Sequence, residues 1–338
     1  MKSWKVTSAE KIELITSASE DAGVNQVKIR INECDLSRSD IEVFNGSLPV
    51  EYPRTVGTIC AGMVTEVGEG VSEFVRGDRV VTMPVKYCES CAACKEGRFG
   101  ACENVKLRGM GVDGFMRDFA VVGASEVYKL PDRIKDGEAA FLDSLSLAIT
   151  VIETLKINKG EHLVITDAGV IGQLLGQVAL YFQAVPIMID IKESFLEAAA
   201  QHGIYYTIDS VKSDPYKKIF NLTGGKMAET VALISGNPAI LPQAFNFAAK
   251  NGRVAIINKY GLNVDMSCNL SPVLKKGLTV HGINNSRKSL SMAINMLANK
   301  AVSTEGLVEK EVPFENVGKF IEENRSNFSE YRKYLVKS

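Results

Sequence analysis

The sequence predicts an α/β protein made of a β-rich lobe and a doubly wound parallel-sheet domain. Three observations predict it. β-branched segments punctuated by Gly and Pro fill the first part of the chain. From Asp136 apolar residues recur at helical spacing, and strand-like and helix-like runs then alternate. At 338 residues the chain is long for one core, so two domains are expected.

The elements follow in order. QVKIRIN (26–32) alternates as a strand does. GTICAGMVTEVGEGV (57–71), DRVVTMPV (78–85) and FAVVGASEVYKLPD (119–132) carry the β-branched content of strands between turns. DGEAAFLDSLSLAITVIETLKI reads as one long helix. HLVIT, a long apolar helix from Val170, and VPIMID follow. Then come TVALIS, the helix PAILPQAFNFAAK, an Asn251-Gly252 turn and RVAIIN. Such alternation predicts parallel strands covered by helices. After TVHGI (279–283), SLSMAINMLANK predicts one more helix, and the remainder reads as a polar tail. The domains are therefore expected at 1–150 and 151–283, with 284–338 returning to the first lobe.

Composition narrows the function. The chain is 46% hydrophobic and 23% charged, with a formal net charge of −1. No basic excess calls for nucleic acid, and no acidic tail calls for a basic partner. The apolar region 162–191 is interrupted by Asp167, Gln173, Gln177 and Gln183, so no membrane partner is expected. MKSWKVTSAEKIELITS lacks the apolar core of a signal peptide, so a cytoplasmic, reducing location is expected and disulfides are not.

Four of the seven cysteines fall in CESCAACKEGRFGAC, spaced C-x2-C-x2-C-x7-C. With disulfides disfavoured, this spacing calls for a metal. Soft thiolates from Cys88, Cys91, Cys94 and Cys102 suit tetrahedral zinc, with an iron–sulfur cluster as the alternative. A closed set of four leaves no position for water or substrate, so one structural Zn2+ per chain is expected.

HLVITDAGVIGQLLGQVAL joins a strand to a helix through a glycine turn, Ala168, Gly169, Val170, Ile171 and Gly172. The turn matches the last two glycines of G-x-G-x-x-G, with Asp167 in place of the first. Gly169 lets the backbone approach a pyrophosphate, Gly172 lets helix and strand pack closely, and the helix N-terminus attracts phosphate. Asp190 ends the next strand, where a carboxylate accepts bonds from an adenosine ribose, and Ile191 follows it. Ser235, at the end of TVALIS, completes the cofactor-binding set. A carboxylate at 167 beside a pyrophosphate is electrostatically unfavourable unless it points away or finds a partner.

On the cysteine spacing, DGFMRDFAVV, the linking helix and the dinucleotide unit, the chain resembles the medium-chain dehydrogenase/reductase superfamily. It is most similar there to the zinc-containing alcohol and polyol dehydrogenases. IRINECDLSRSD, TVGTICAGMVTEVGEGVSEFVRGDRVV and PIMIDIKESFLEAAAQHG fall in that family's order and spacing. The resemblance implies a GroES-like lobe carrying the structural zinc, a Rossmann domain binding NAD(H), and an active site in the cleft between them.

The departures from the family pattern are informative. The family places a catalytic zinc on a Cys in G-[IV]-C-x-[ST]-D, a His in G-H-E, and a Cys, Glu or Asp near the start of the linking helix. Here Ser37 stands for the Cys, Thr58 for the His, Ile59 for the Glu, and Asp143 lies at the third position. The histidines are His162, His202 and His281, all beyond the first lobe. Hydroxyls bind zinc weakly, so no catalytic zinc is expected. Cys34 and Cys60 lie nearby but off register, as small buried hydrophobes.

Ser39 matches the family's proton-relaying hydroxyl, Asp40 its zinc-supporting carboxylate, and Arg38 a basic residue set against the cofactor pyrophosphate. Ser37, Thr58 and Asp143 become candidate substrate contacts, with Asp143 as a general acid/base if burial raises its pKa. The expected function is NAD(H)-dependent hydride transfer to or from a small polar substrate, either alcohol or ketone, sugar-like, or an activated C=C. The alternative is a non-catalytic member that binds cofactor or a partner. The resemblance further implies a homodimer or homotetramer, paired through a sheet edge supplied by KKGLTVHGI (275–283).

Overall fold

A computed structural model describes residues 1–234, 240–257, 269–284, 287–329 and 332–338. The chain divides into two compact units, Met1–Asp143 with Glu305–Ser338, and Ser144–Thr304.

The main β-sheet of the first unit has seven strands. Its strands run in the order Val127–Lys129, Arg79–Thr82, Cys60–Val67, Gln26–Leu36, Lys333–Lys337 and Val308–Pro313, and Phe119–Gly123 also pairs with Gln26–Leu36. Val27, Ile29 and Ile31 alternate into the core, where they join Val64, Val80, Val122 and Val336. The C-terminal strand pairs antiparallel with Gln26–Leu36, setting Tyr334 against Leu36 and Leu335 against Asp35. The segment read as a polar tail is therefore ordered: it supplies two strands and the helix Val317–Asn324. Its strand Val308–Pro313 is mostly exposed, so no hydrophobic run marks it in the sequence.

The second unit is a parallel six-stranded sheet. In spatial order its strands are Tyr206–Asp209, Val185–Asp190, His162–Ile165, Ala228–Ile234, Ala248–Ile257 and Thr279–Ile283, each parallel to its neighbour. The chain winds outward in one direction from His162–Ile165 and then in the other. Its switch point lies between that strand and Ala228–Ile234, and ligands of such sheets bind beyond the strands' carboxyl ends at that point. Thr279–Ile283 is an edge strand with exposed residues on it.

Two boundaries differ from the sequence expectation. The return to the first unit comes at Glu305, because the helix Leu290–Ala298 belongs to the second unit. The long linking helix is two, Asp136–Ala139 and Leu142–Leu155, and the unit boundary falls just after Asp143. Among the described residues no helix is long and apolar enough to cross a membrane.

Gly172, in the helix Val170–Tyr181, packs against the turn that precedes it. A Cβ there would lie 1.8 Å from the Asp167 carbonyl oxygen, so something must shift. Gly172→Ala is expected to destabilise the protein by roughly 1–3 kcal/mol or more. Urea titrations of the two proteins that superimpose would refute this account of the turn.

Candidate functional site

In the first unit Cys91 caps the short helix Ala92–Lys95, which carries Cys94 round to face Cys88 and Cys102. The sulfurs of Cys88, Cys91, Cys94 and Cys102 all lie within 4.8 Å of one another, so the loop could hold a metal ion. Backbone N–H groups of Cys91 and Ser90 hold the Cys88 thiol down at about 5. Burial and the neighbouring thiols push Cys94 up to about 12.

The same unit brings together three segments that are distant in sequence. The strand Gln26–Leu36 ends in Asp35, and Ser37 then caps the helix Arg38–Phe44. Asp40 Oδ2 accepts from the Ser37 N–H at 2.8 Å and from Ser37 Oγ at 3.0 Å. Its other oxygen accepts from the Gly57 N–H at 2.6 Å. Ser37 Oγ lies 2.8 Å from Ser39 Oγ. Since Ser37 gives its one hydroxyl proton to Asp40, Ser39 is the donor in that pair. Asp40 is buried, and burial pushes its carboxyl up to about 6, although the Gly57 and Ser37 N–H groups pull the other way. Thr58 is 1% exposed, and its hydroxyl has no hydrogen-bond partner among the described residues.

Asp35 completes this region. Its N–H donates to the Ile59 carbonyl at 3.0 Å, which ties the capped turn to the Thr58–Ile59 segment. Its carboxylate accepts from Lys333 Nζ at 2.5 Å, and the same ammonium lies 3.7 Å from Asp143 Oδ1. The side chains are 6% exposed for Lys333 and 1% for Asp35 and Asp143. Burial alone would push the Lys333 ammonium down, but Asp35 and Asp143 outweigh it and raise it above the ordinary lysine value. Cys34, beside them, is pushed well up by burial first and then by Cys60, Asp40 and Asp35.

In the second unit the glycine turn is held by carboxylates. Asp190 Oδ2 accepts from the Ala168 N–H at 2.8 Å, and Oδ1 accepts from the N–H groups of Ile191 at 2.7 Å and Lys192 at 2.9 Å. Asp167 Oδ1 accepts from the Gly169 N–H at 2.7 Å, so the carboxylate that replaces the motif's first glycine is anchored to the turn itself. Val170, Ile171 and Gly172 open the helix Val170–Tyr181.

The sequence-predicted residues thus group by unit. Ser37, Ser39, Thr58 and Asp143 gather in the first, and Ala168, Gly169, Val170, Ile171, Gly172, Asp190 and Ile191 in the second. Ser235 lies outside the described residues. The Arg38 side chain is 53% exposed and pairs with Glu42 at 3.0 Å, an i,i+4 contact along its own helix. Sequence reasoning missed Asp35 and Lys333. The local signal for Asp35 was a second acid beside the Ser37–Asp40 turn; Lys333 left none, because its partners are remote.

Residues 23–132 match the alcohol dehydrogenase GroES-like domain family, and residues 170–299 match the zinc-binding dehydrogenase family. A zinc-type alcohol dehydrogenase-like protein of Haemophilus influenzae is 32% identical over 311 residues, covering 91% of this chain and 90% of its own. The chain belongs to the medium-chain dehydrogenase/reductase superfamily. A sorbitol dehydrogenase of Bacillus subtilis is 27% identical over 321 residues, covering 93% of this chain and 91% of its own. Among solved structures, galactitol-1-phosphate dehydrogenase from Escherichia coli superimposes with a TM-score of 0.91 at 23% identity over 100% of both chains. An alcohol dehydrogenase from Escherichia coli CFT073 complexed with NADH gives 0.90 at 22% identity, over 100% of this chain and 99% of that one. At these identities the structures show the fold alone. This member of the superfamily is an oxidoreductase by descent, with a GroES-like unit and a Rossmann unit.

Proposed function

We propose that this dehydrogenase binds NAD(H) and transfers hydride to or from a small polar substrate (an alcohol or ketone, a sugar-like compound, or an activated C=C) with no metal ion in the reacting pocket, and that it carries one structural zinc. The observation that carries the reading is the chain of hydroxyls from Ser39 through Ser37 to Asp40. A zinc at the family's catalytic position would need donors that this chain has committed elsewhere. Ser37 is bonded to Ser39 and Asp40, and Asp143 faces Lys333. Neutral hydroxyls are also poor zinc ligands. The four thiols of the cysteine loop suit zinc on every count, and their closed set supplies structure, not chemistry.

Gly169, Gly172, the residues opening the helix and the strand end at Asp190 and Ile191 would hold NAD(H), which supplies or accepts the hydride. The protein's own residues manage the proton. When an alcohol is oxidised, its hydroxyl proton must leave as the carbinol C–H electron pair departs as hydride. Ser39 accepts that proton and passes its own to Ser37, and Ser37 passes its own to Asp40. Every hydroxyl in the chain already donates in the direction this requires. Asp40 at about 6 is a carboxylate placed to take a proton near neutral pH. Reduction runs the same chain backwards.

Elemental analysis of the purified protein is expected to give one zinc per chain, lost in Cys91→Ser with a fall in thermal midpoint. Two zinc ions per chain would overturn the metal-free pocket.

Below about pH 6 Asp40 is protonated and cannot accept, so alcohol oxidation should fall as pH drops through that value. Ser37→Ala breaks the relay but keeps the bonds from the Ser37 and Gly57 N–H groups to Asp40. It should lower kcat by roughly 10²-fold or more, in an assay of nicotinamide absorbance with polyols and secondary alcohols. An unchanged kcat and pH profile would remove Asp40 from the mechanism.

Asp190 favours a ribose 2′-hydroxyl and repels a 2′-phosphate. Since its carboxylate also anchors Ala168, Ile191 and Lys192, Asp190→Gly should weaken binding of both cofactors. The informative quantity is the NADH:NADPH affinity ratio, which should shift roughly ten- to hundredfold toward NADPH. Equal affinities in the wild type would show that Asp190 does not read the ribose.

A further inference from the structure

We propose that the Lys333 ammonium is the built-in cation of the reacting pocket, filling the electrostatic role that a metal ion would have there and acting on the reaction through Asp143. This rests on the proposed metal-free hydride transfer and adds to it the residue that supplies positive charge.

Three carboxylates converge on this region. Asp35 and Asp143 face Lys333 directly. Asp40 is near enough to Asp35 to be raised by it, and Cys34 feels Asp35, Asp40 and Lys333 together. Asp40 is satisfied by N–H and O–H donors, whereas Asp35 and Asp143 share an ammonium. Two buried carboxylates without a cation would be strongly unfavourable, and a divalent ion is one remedy. Here a side chain is the remedy. Lys333 is nearly sealed from solvent, held at 2.5 Å by Asp35, and lies 5.6 Å from the centre of the Phe141 ring. Its position is set by strand pairing, since the next two residues, Tyr334 and Leu335, pair with Leu36 and Asp35.

A fixed ammonium does two things for hydride transfer. It offsets one of the two negative charges that Asp35 and Asp143 would otherwise set against the negative charge developing on a substrate oxygen when an alcohol loses its proton or a carbonyl accepts hydride. It also orients Asp143, whose carboxylate lies 3.7 Å away, so Lys333 is a positioning residue. The unpartnered Thr58 hydroxyl is a donor or acceptor available to a polar substrate.

The test removes the ammonium and asks whether a free cation replaces it. Full-length Lys333→Ala, purified in buffer containing methylammonium chloride, leaves the Asp35 and Asp143 carboxylates around a gap. Such hard oxygen donors suit Mn2+, which electron paramagnetic resonance detects without disturbing a thiolate-bound zinc. Lys333→Ala is expected to take up one more Mn2+ per chain than the wild type. Methylammonium should displace that ion, and adding Asp143→Asn should weaken it by roughly 10–100-fold. Methylammonium should also raise the thermal midpoint of Lys333→Ala, and sodium chloride at equal ionic strength should not. Equal Mn2+ uptake by the two proteins, no response to methylammonium, or failure to fold in its presence would each overturn the proposal. A neutral variant, Lys333→Met with Asp35→Asn and Asp143→Asn, removes all three charges at once. It should keep NADH affinity, read by fluorescence, but lose roughly 10²-fold in kcat with little change in KM, and an unchanged kcat would assign Lys333 a structural role alone. If the wild type itself transfers no hydride, the proposed function fails, while the Mn2+ and methylammonium results still decide where the cation lies.

Discussion

A buried carboxylate must be either neutralised or hydrogen-bonded, and the first unit is organised around that constraint. Asp35 and Asp143 are almost fully buried, and one ammonium, Lys333, serves both. Removing one partner of such a pair typically costs about 3–5 kcal/mol, because a charge is left without compensation. The C-terminal strand is therefore bound to the sheet by more than its backbone ladder. Its register puts the ammonium where the acids are, and the acids make any other register unfavourable.

Three other carboxylates accept hydrogen bonds from backbone N–H groups. Asp40 takes two such bonds, one of them from Gly57 across a gap of sequence, and so joins the helix start at Ser37 to the segment before Thr58. Asp190 takes three, from Ala168, Ile191 and Lys192, and so fixes the glycine turn against the end of the next strand. Asp167 binds the Gly169 N–H. This last bond explains how an acid is tolerated where the dinucleotide motif has glycine. The carboxylate takes up one of the N–H groups that an anion would otherwise find, and the turn keeps its shape. Structure and cofactor affinity are in tension at that position.

The cysteine loop and the Ser37–Lys333 region differ in how they resist change. The cysteine loop carries its four thiols within one short segment, so its geometry depends little on the rest of the lobe. The Ser37–Asp40–Lys333 region draws on the strand Gln26–Leu36, the turn at Gly57, a helix start and the last strand. A change in any of these alters the charge balance of the others, as the Cys34 thiol shows by responding to Asp35, Asp40 and Lys333 at once.

The sequence by itself determined what depends on close neighbours. The spacing of Cys88, Cys91, Cys94 and Cys102, the turn from Asp167 to Gly172 and the acid at Asp190 are short-range patterns whose chemistry follows from spacing alone. The alternation of apolar strands and helices was equally legible, since period and length are local properties. Only the tertiary structure decided the rest. The segment after SLSMAINMLANK reads as a polar tail because its strand Val308–Pro313 is largely exposed, yet it forms an edge of the main sheet of the first unit. Lys333 reads as an ordinary tail lysine; its place beside Asp35 and Asp143 arises from a strand pairing across nearly the whole chain. A pairing of that range is set by the whole core, and no window of sequence contains it.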